Sequence, residues 1–120
     1  MLFRNATNAV AHPAGATIFK EGDPGDVMYV VQEGELQILV RGQAVETLGP
    51  GSIVGEMALV DSVPRSASLV AKTDCRVVPV DKKQFTYLIQ QTPFFALQVM
   101  QIMADRLRKL NARLAPGAGS

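Results

Sequence analysis

The sequence predicts a mainly β domain with C-terminal helices, an α+β organisation in which the strands form a small antiparallel β barrel or jelly roll. Turn residues interrupt the first two-thirds of the chain at short intervals, and the segments between them are rich in β-branched and alternating apolar residues. Many short strands at this spacing are typical of such barrels. Beyond residue 81 the apolar period becomes that of helices. We expect a barrel over residues 14–80 and helices over residues 81–114.

Glycine and proline separate the predicted strands. Gly22-Asp23-Pro24-Gly25 fits a turn with proline and then glycine at its centre. Arg41-Gly42-Gln43 fits a tight hairpin turn, and Gly49-Pro50-Gly51 breaks the chain again. The segments between these breaks alternate apolar and polar residues or are rich in β-branched residues. The strands predicted in this way cover residues 27–32, 36–40, 45–48, 67–72 and 75–80.

The last third of the chain predicts two helices. Asp81 can cap a helix over residues 82–91. Thr92 and Pro93 fit a cap followed by proline at the first position of a long helix that runs to residue 114. Residues 115–120 are rich in glycine and alanine, which predicts a flexible tail. No linker interrupts the sequence, so we expect one domain over residues 1–114.

Size and composition indicate an ordinary globular domain. The chain has 120 residues, enough for one modest core, and 48% of them are hydrophobic. A net charge of +1 creates no field that would attract polyanions. The sequence has neither an apolar run of about 18 residues nor a signal-like N-terminus, so we expect a cytoplasmic protein without a membrane partner. The single cysteine, Cys75, lies in an apolar run and is expected to pack in the core.

The segment from Gly55 to Ala67 combines residue types that can hold an anion beside a hydroxyl group. Gly55 lacks a side chain, which lets a ligand approach the backbone. Residues 56–59 can form one helical turn, whose first N–H groups lack internal partners and favour a phosphate. Arg65 can donate two parallel hydrogen bonds to phosphate oxygens, and Ser66 adds a hydroxyl. Glu56 can accept a hydrogen bond from a sugar hydroxyl.

This segment, Gly55-Glu56-Met57-Ala58-Leu59 followed by Pro64-Arg65-Ser66-Ala67, resembles the phosphate-binding cassette of cyclic nucleotide-binding domains. Those domains occur in the catabolite activator protein, protein kinase A regulatory subunits and cyclic-nucleotide-gated channels. A second signature, residues 19–31 followed by Gly34, is similar to the glycine-punctuated strands that open the same barrel. The likeness covers about residues 16–110, and it implies a jelly roll with a short phosphate-binding helix and a long C-terminal lid helix.

The resemblance implies roles for individual residues. The position of Glu56 binds the ribose 2′-OH, and that of Arg65 pairs with the cyclic phosphate. Ser66 and Ala58 occupy positions that support the phosphate. The ligand is cAMP or cGMP, and no other cofactor is implied. The family usually has an aromatic residue where this chain has Val54, at a position that packs inward. The expected ligand contacts are Gly55, Glu56, Met57, Ala58, Arg65, Ser66, Ala67 and Arg106.

The long helix has two apolar faces with separate expected uses. A coiled-coil seam of a and d positions would suit a symmetric homodimer. On the adjacent face, Val99, Ile102 and Arg106 would point toward the barrel and its pocket, since this helix closes over the base in the family. The alternative is that the whole apolar stripe packs on the barrel. The predicted seam consists of Met100, Met103, Leu107, Leu110 and Leu114.

Several functions remain open at this stage. A stand-alone cyclic nucleotide sensor is favoured, since no helix-turn-helix follows the long helix, and its downstream protein partner is unknown. The alternative is the effector-binding part of a catabolite activator-like regulator that lacks its DNA-binding domain. Serine at position 66 is intermediate between the threonine of cGMP-preferring members and the alanine of cAMP-preferring members. The resemblance to bacterial members favours cAMP.

Two further classes are disfavoured. A metal-dependent or Ser-His-Asp enzyme would have to use His12, the one histidine, which precedes Pro13 in a predicted loop. A DNA-binding role could be argued from a basic cluster near the end of the long helix, but cations there are favoured by the helix dipole. The cluster consists of Arg106, Arg108, Lys109 and Arg113. We therefore expect neither catalysis nor nucleic-acid binding by this chain alone.

Overall fold

A computed structural model describes residue 3, residues 6–60 and residues 64–114, without the side chains of residues 60, 110 and 112–114. The predicted tail at residues 115–120 lies outside the described residues. The chain divides into two compact units, Met1–Gln84 and Phe85–Ser120. The first holds the strands and a short helix, and the second holds most of the C-terminal helices. The single-domain organisation stays a prediction.

The strands of the first unit form two antiparallel four-stranded sheets within the described residues. One sheet has the order β1-β8-β3-β6, and the other has the order β2-β7-β4-β5. This arrangement confirms the predicted mainly β jelly roll with C-terminal helices. The strand bounds are β1 Val10–His12, β2 Thr17–Phe19, β3 Val27–Glu33, β4 Leu36–Val40, β5 Gln43–Leu48, β6 Ile53–Val54, β7 Ser68–Ala71 and β8 Cys75–Asp81.

The two sheets share an apolar cluster. Strands β3, β6 and β8 of the first sheet and β4, β5 and β7 of the second send buried side chains into the same cluster. Cys75 belongs to it and is 3% exposed, which confirms its predicted packing. Burial, and secondarily the Asp74 carboxylate, raises the pKa of the Cys75 thiol, so the thiol stays neutral at physiological pH. The cluster consists of Val31, Leu36, Leu48, Val54, Leu69, Ala71, Cys75 and Val77.

Hairpin β4–β5 shows how a local sequence signal sets the register. Arg41 and Gly42 connect the strands with positive φ values of 53° and 79°. Two central residues with positive φ match the right-handed twist of a hairpin. Val40 consequently pairs with Gln43 and Leu39 with Ala44, and an irregularity between Ile38 and Leu39 then shifts the register by one residue. The predicted strand at residues 45–48 therefore begins two residues earlier, directly after the turn.

The helices lie close to their predicted bounds. The short helix α1 covers Met57–Val60, α2 covers Lys82–Gln91 and α3 covers Phe94–Leu114. Asp81 caps α2 as predicted: its carboxylate accepts the Gln84 N–H at 2.7 Å, and the Gln84 side chain accepts the Asp81 N–H at 3.1 Å. Within the second unit, Phe85 of α2 contacts Phe95 of α3 edge to face, with ring centroids 5.6 Å apart.

Candidate ligand-binding site

The backbone of Arg65 is fixed to the turn between β2 and β3. The Arg65 N–H donates to the carbonyl oxygen of Asp23 at 2.8 Å, and the Gly22 N–H donates to the carbonyl oxygen of Arg65 at 2.8 Å. Farther along the same segment, the Ser68 hydroxyl accepts the Glu21 N–H at 2.9 Å. The two segments with sequence signatures, one before β3 and one before β7, therefore lie side by side.

The Arg65 side chain turns inward and is 8% exposed. Its Nη2 donates to the carbonyl oxygen of Val27 at 2.8 Å, and its Nη1 donates to that of Gly55 at 3.3 Å. Its Nε is buried and has no hydrogen-bond partner within the described ranges. A buried donor without an acceptor is costly, and a charged one more so. The arrangement therefore has an unused capacity for an acceptor such as an anionic oxygen.

Aromatic rings lie next to the guanidinium. Arg65 Cζ is 4.2 Å from the centroid of the Phe19 ring and 5.9 Å from that of Tyr29. The two rings stack with their centroids 6.0 Å apart. A cation over an aromatic face is attracted by the ring quadrupole, more strongly where water is excluded. The Phe19 ring therefore stabilises a buried charge without supplying a counter-ion.

Two glycines make room for this side chain. A Cβ on Gly25 would lie 2.5 Å from Cζ and 2.9 Å from Cδ of Arg65, and closer still to Nε. A Cβ on Gly55, whose φ is +79°, would lie 2.6 Å from Nη1 of Arg65. The sequence predicted that Gly55 admits a ligand to the backbone. In the structure it admits the guanidinium of Arg65.

Helix α1 follows Gly55 directly. The Ala58 N–H donates to the Gly55 carbonyl, and the Leu59 N–H to the Glu56 carbonyl, each at 3.1 Å. These two amides have internal partners, which corrects the expectation that the first N–H groups of the turn are all unpaired. Met57 is exposed, whereas Glu56 and Ala58 are partly buried. Leu59 is buried and fixes the turn in the core.

The remaining predicted ligand contacts lie outside helix α1. Ser66 is exposed and Ala67 is partly buried, and both lie between Arg65 and β7. Arg106 is partly buried on α3, in the second unit. Val54 is 5% exposed and pairs with Tyr29 across β6 and β3, so this position packs inward as predicted. The ligand-contact roles of the predicted site residues stay predictions.

Sequence reasoning missed three participants at Arg65, namely Phe19, Gly25 and the Val27 carbonyl. Phe19 and Gly25 lie in the signature of residues 19–31. That signature could have indicated them, because a glycine within it requires a conformational or steric explanation. The Val27 carbonyl could not be found in this way, since every residue carries one.

Other kinds of site find less support. Within the described ranges, no three His, Cys, Asp or Glu side chains are placed to hold a metal ion. Nor does any described helix combine the length and apolar character needed to cross a membrane.

Known proteins with similar sequences belong to the family that the cassette motif resembles. The cyclic nucleotide-binding domain family matches residues 9–92. A cAMP-dependent protein kinase regulatory subunit from Aspergillus niger is 41% identical over 71% of this chain and 21% of its own length. A CRP-like cAMP-activated global transcriptional regulator from Mycobacterium tuberculosis is 32% identical over 88% of this chain and 50% of its own.

A crystal structure shares the fold as well as the sequence pattern. The catabolite activator protein of Thermus thermophilus superposes with a TM-score of 0.78 at 33% identity, over 88% of this chain and 52% of that one. The chain thus spans half or less of the curated relatives named above. With a family match over most of its length, a jelly roll and a buried arginine at the cassette, the chain belongs to the cyclic nucleotide-binding domain family.

Proposed function

We propose that this chain binds one cyclic nucleotide, with cAMP preferred over cGMP, and acts as a sensor or regulatory module. The observation that carries the proposal is the buried Arg65 guanidinium, which keeps an unpaired Nε donor at the cassette. A phosphodiester supplies anionic oxygens that such a donor can bind. The curated relatives are named for cAMP, which supports the same ligand class.

The other cassette residues surround Arg65 in sequence and supply groups that suit the rest of a cyclic nucleotide. In this proposal, Glu56 accepts the ribose 2′-OH, and Ser66 and Ala58 support the phosphate. Peptide groups of Gly55, Met57 and Ala67 line the pocket. The chain has no catalytic role in this proposal, because its ligand is a regulatory signal and the relatives named above are regulators.

The base preference is tested by competition between cAMP and cGMP. We expect cAMP to bind more tightly, since the relatives named above are named for cAMP and serine at position 66 is intermediate between the residues that the resemblance associates with each nucleotide. Ser66→Ala should weaken cGMP selectively, by about threefold to tenfold for one neutral hydrogen bond. Isothermal titration with each nucleotide measures both effects, and Ser52→Ala serves as a control outside the cassette. A clear preference of the wild type for cGMP would contradict the proposed ligand.

A second candidate is the effector-binding part of a transcriptional regulator. The likeness to the Mycobacterium tuberculosis regulator extends over 88% of this chain, beyond the region that matches the family as a whole. This candidate keeps the same ligand and site, and it differs in the output. The chain alone is not expected to bind DNA, because its net charge is small. A gel shift at physiological salt with and without cAMP tests this expectation.

The output is proposed to pass through α3. Exposed apolar side chains recur on this helix at Leu97, Met100 and Leu107, with the small Ala104 between them. Separations of three, four and three residues are those of a coiled-coil seam. The seam predicted from sequence shares Met100 and Leu107 with this set. Met103, like Ala104, is partly buried, and the side chains of Leu110 and Leu114 lie outside the described residues, so that seam stays a prediction.

A homodimer through this seam is testable. Leu107 is 58% exposed, so Leu107→Asp should leave the fold intact while placing two charges at a symmetric contact. Light scattering should show a dimer for the wild type and a monomer for the variant, and Lys109→Asp, exposed on the same helix, is the charge control. A wild type that stays monomeric at all concentrations would contradict the dimer.

A further inference from the structure

We propose that Gly25 is a positioning residue for Arg65: the missing side chain at position 25 is what allows the guanidinium to occupy its buried place. The inference rests on the proposed function for its effect on ligand binding. Its structural basis is independent of the ligand, because a Cβ at position 25 meets three atoms of the Arg65 side chain and no other heavy atom is nearer.

The glycine is not needed for its backbone conformation. Gly15, Gly22, Gly34, Gly42, Gly51 and Gly55 have positive φ, where an L residue is strained, but Gly25 is not among them. Alanine at position 25 would thus be acceptable to the backbone. The reason for glycine at this position is therefore steric, and the group that it accommodates is the end of one arginine side chain.

The guanidinium cannot move aside without losing its other contacts. The Phe19 ring lies 4.2 Å from Cζ, and the carbonyl oxygens of Val27 and Gly55 accept its two Nη groups. A methyl group at position 25 must therefore displace the guanidinium from the ring, the carbonyls or both. Arg65 is the proposed phosphate contact. Such a displacement would therefore move its hydrogen-bond donors away from the phosphate, although no donor atom has been changed.

The test compares two glycines that differ in what a Cβ would meet. Gly25→Ala is compared with Gly49→Ala, since neither residue has positive φ and a Cβ at position 49 meets nothing within 4 Å. We expect Gly25→Ala to weaken cAMP binding by about tenfold or more, the scale of losing a charge-assisted contact, and Gly49→Ala to bind as the wild type does. In the Arg65→Ala background, Gly25→Ala should have no further effect.

A second readout does not need the ligand. Selective labelling follows the Nε–H resonance of Arg65, assigned by its loss in Arg65→Lys. Its hydrogen exchange should be slow in the wild type and in Gly49→Ala, because Nε is buried, and faster in Gly25→Ala. If the wild type binds no cyclic nucleotide, the proposed function fails, and the exchange rates still decide the role of Gly25.

Three results would overturn the proposal: Gly25→Ala binding within twofold of the wild type, a Gly25→Ala effect that persists without Arg65, or unchanged Nε–H exchange. Should Gly25→Ala fail to fold, the double variant Gly25→Ala/Arg65→Ala decides. Recovery of folding in the double variant supports the steric relation, since the colliding side chain is gone, and failure to recover contradicts it.

Discussion

Arg65→Ala is expected to lower cAMP affinity by about tenfold or more. Truncating one partner of a buried, charged hydrogen-bonded pair costs about 2–5 kcal/mol, and each 1.4 kcal/mol corresponds to about tenfold in Kd. The large effect follows from burial: Arg65 is 8% exposed, so water cannot replace its guanidinium at the phosphate. Isothermal titration of both proteins with cAMP measures the loss.

Two further variants separate charge, geometry and nonspecific effects. Arg65→Lys keeps the positive charge but cannot present a planar fork, so its affinity should fall between those of the wild type and Arg65→Ala. Arg41→Ala removes an exposed arginine from the β4–β5 turn and should bind cAMP normally. Circular dichroism establishes that each variant is folded. Unchanged affinity in a folded Arg65→Ala protein would overturn the assignment of the cassette.

Gly34→Ala is expected to cause the largest loss of stability among the glycine variants. Gly34 joins β3 to β4 with a φ of +81°, and a Cβ there would lie 2.8 Å from the Cα of Cys75 and closer still to the Asp74 carbonyl oxygen. The left-handed conformation costs alanine about 1–2 kcal/mol, and overpacking against fixed backbone costs about 1–3 kcal/mol more. The sum predicts a Tm lower by about 8–20 °C for a domain of this size.

Gly42→Ala measures the conformational part of this loss without the steric part. Gly42 has nearly the same φ, +79°, in the β4–β5 hairpin turn, but a Cβ there meets nothing within 4 Å. Only the conformational cost of about 1–2 kcal/mol should appear in its thermal or denaturant unfolding. Equal losses in the two variants would mean that the approach of β8 to the β3–β4 turn is relieved by a small backbone shift.

The longer elements of the fold were predictable from sequence, and the shortest were not. Strands β3, β4 and β8 and helix α2 begin at their predicted residues, because each carries several residues of one period or a cap. The missed strands are Val10–His12, Thr17–Phe19 and Ile53–Val54. Two or three residues cannot show a period, and the first of these lies before the predicted start of the barrel. Pairing with longer strands, such as β1 with β8, is what makes them strands.

The site was predictable as a set of residues but not as an arrangement. Arg65 stood out by its type and by its place in the cassette motif. The direction of its side chain could not be predicted, because it is determined by Phe19, Gly25 and the Val27 carbonyl, all about 40 residues away in sequence. Nor could the sequence show that Gly55 supplies one carbonyl to both the Ala58 N–H and Arg65. Such relations arise from the pairing of distant strands and loops.

The way in which Arg65 is held has a consequence for acid tolerance. Its two Nη groups donate to peptide carbonyls, and its neutral platform is a phenyl ring. Neither kind of group titrates, unlike the carboxylates that hold many buried arginines and lose their charge as the pH falls toward 4. These contacts should therefore persist in mildly acidic solution, so that the anchor of the proposed anion contact would be insensitive to proton concentration.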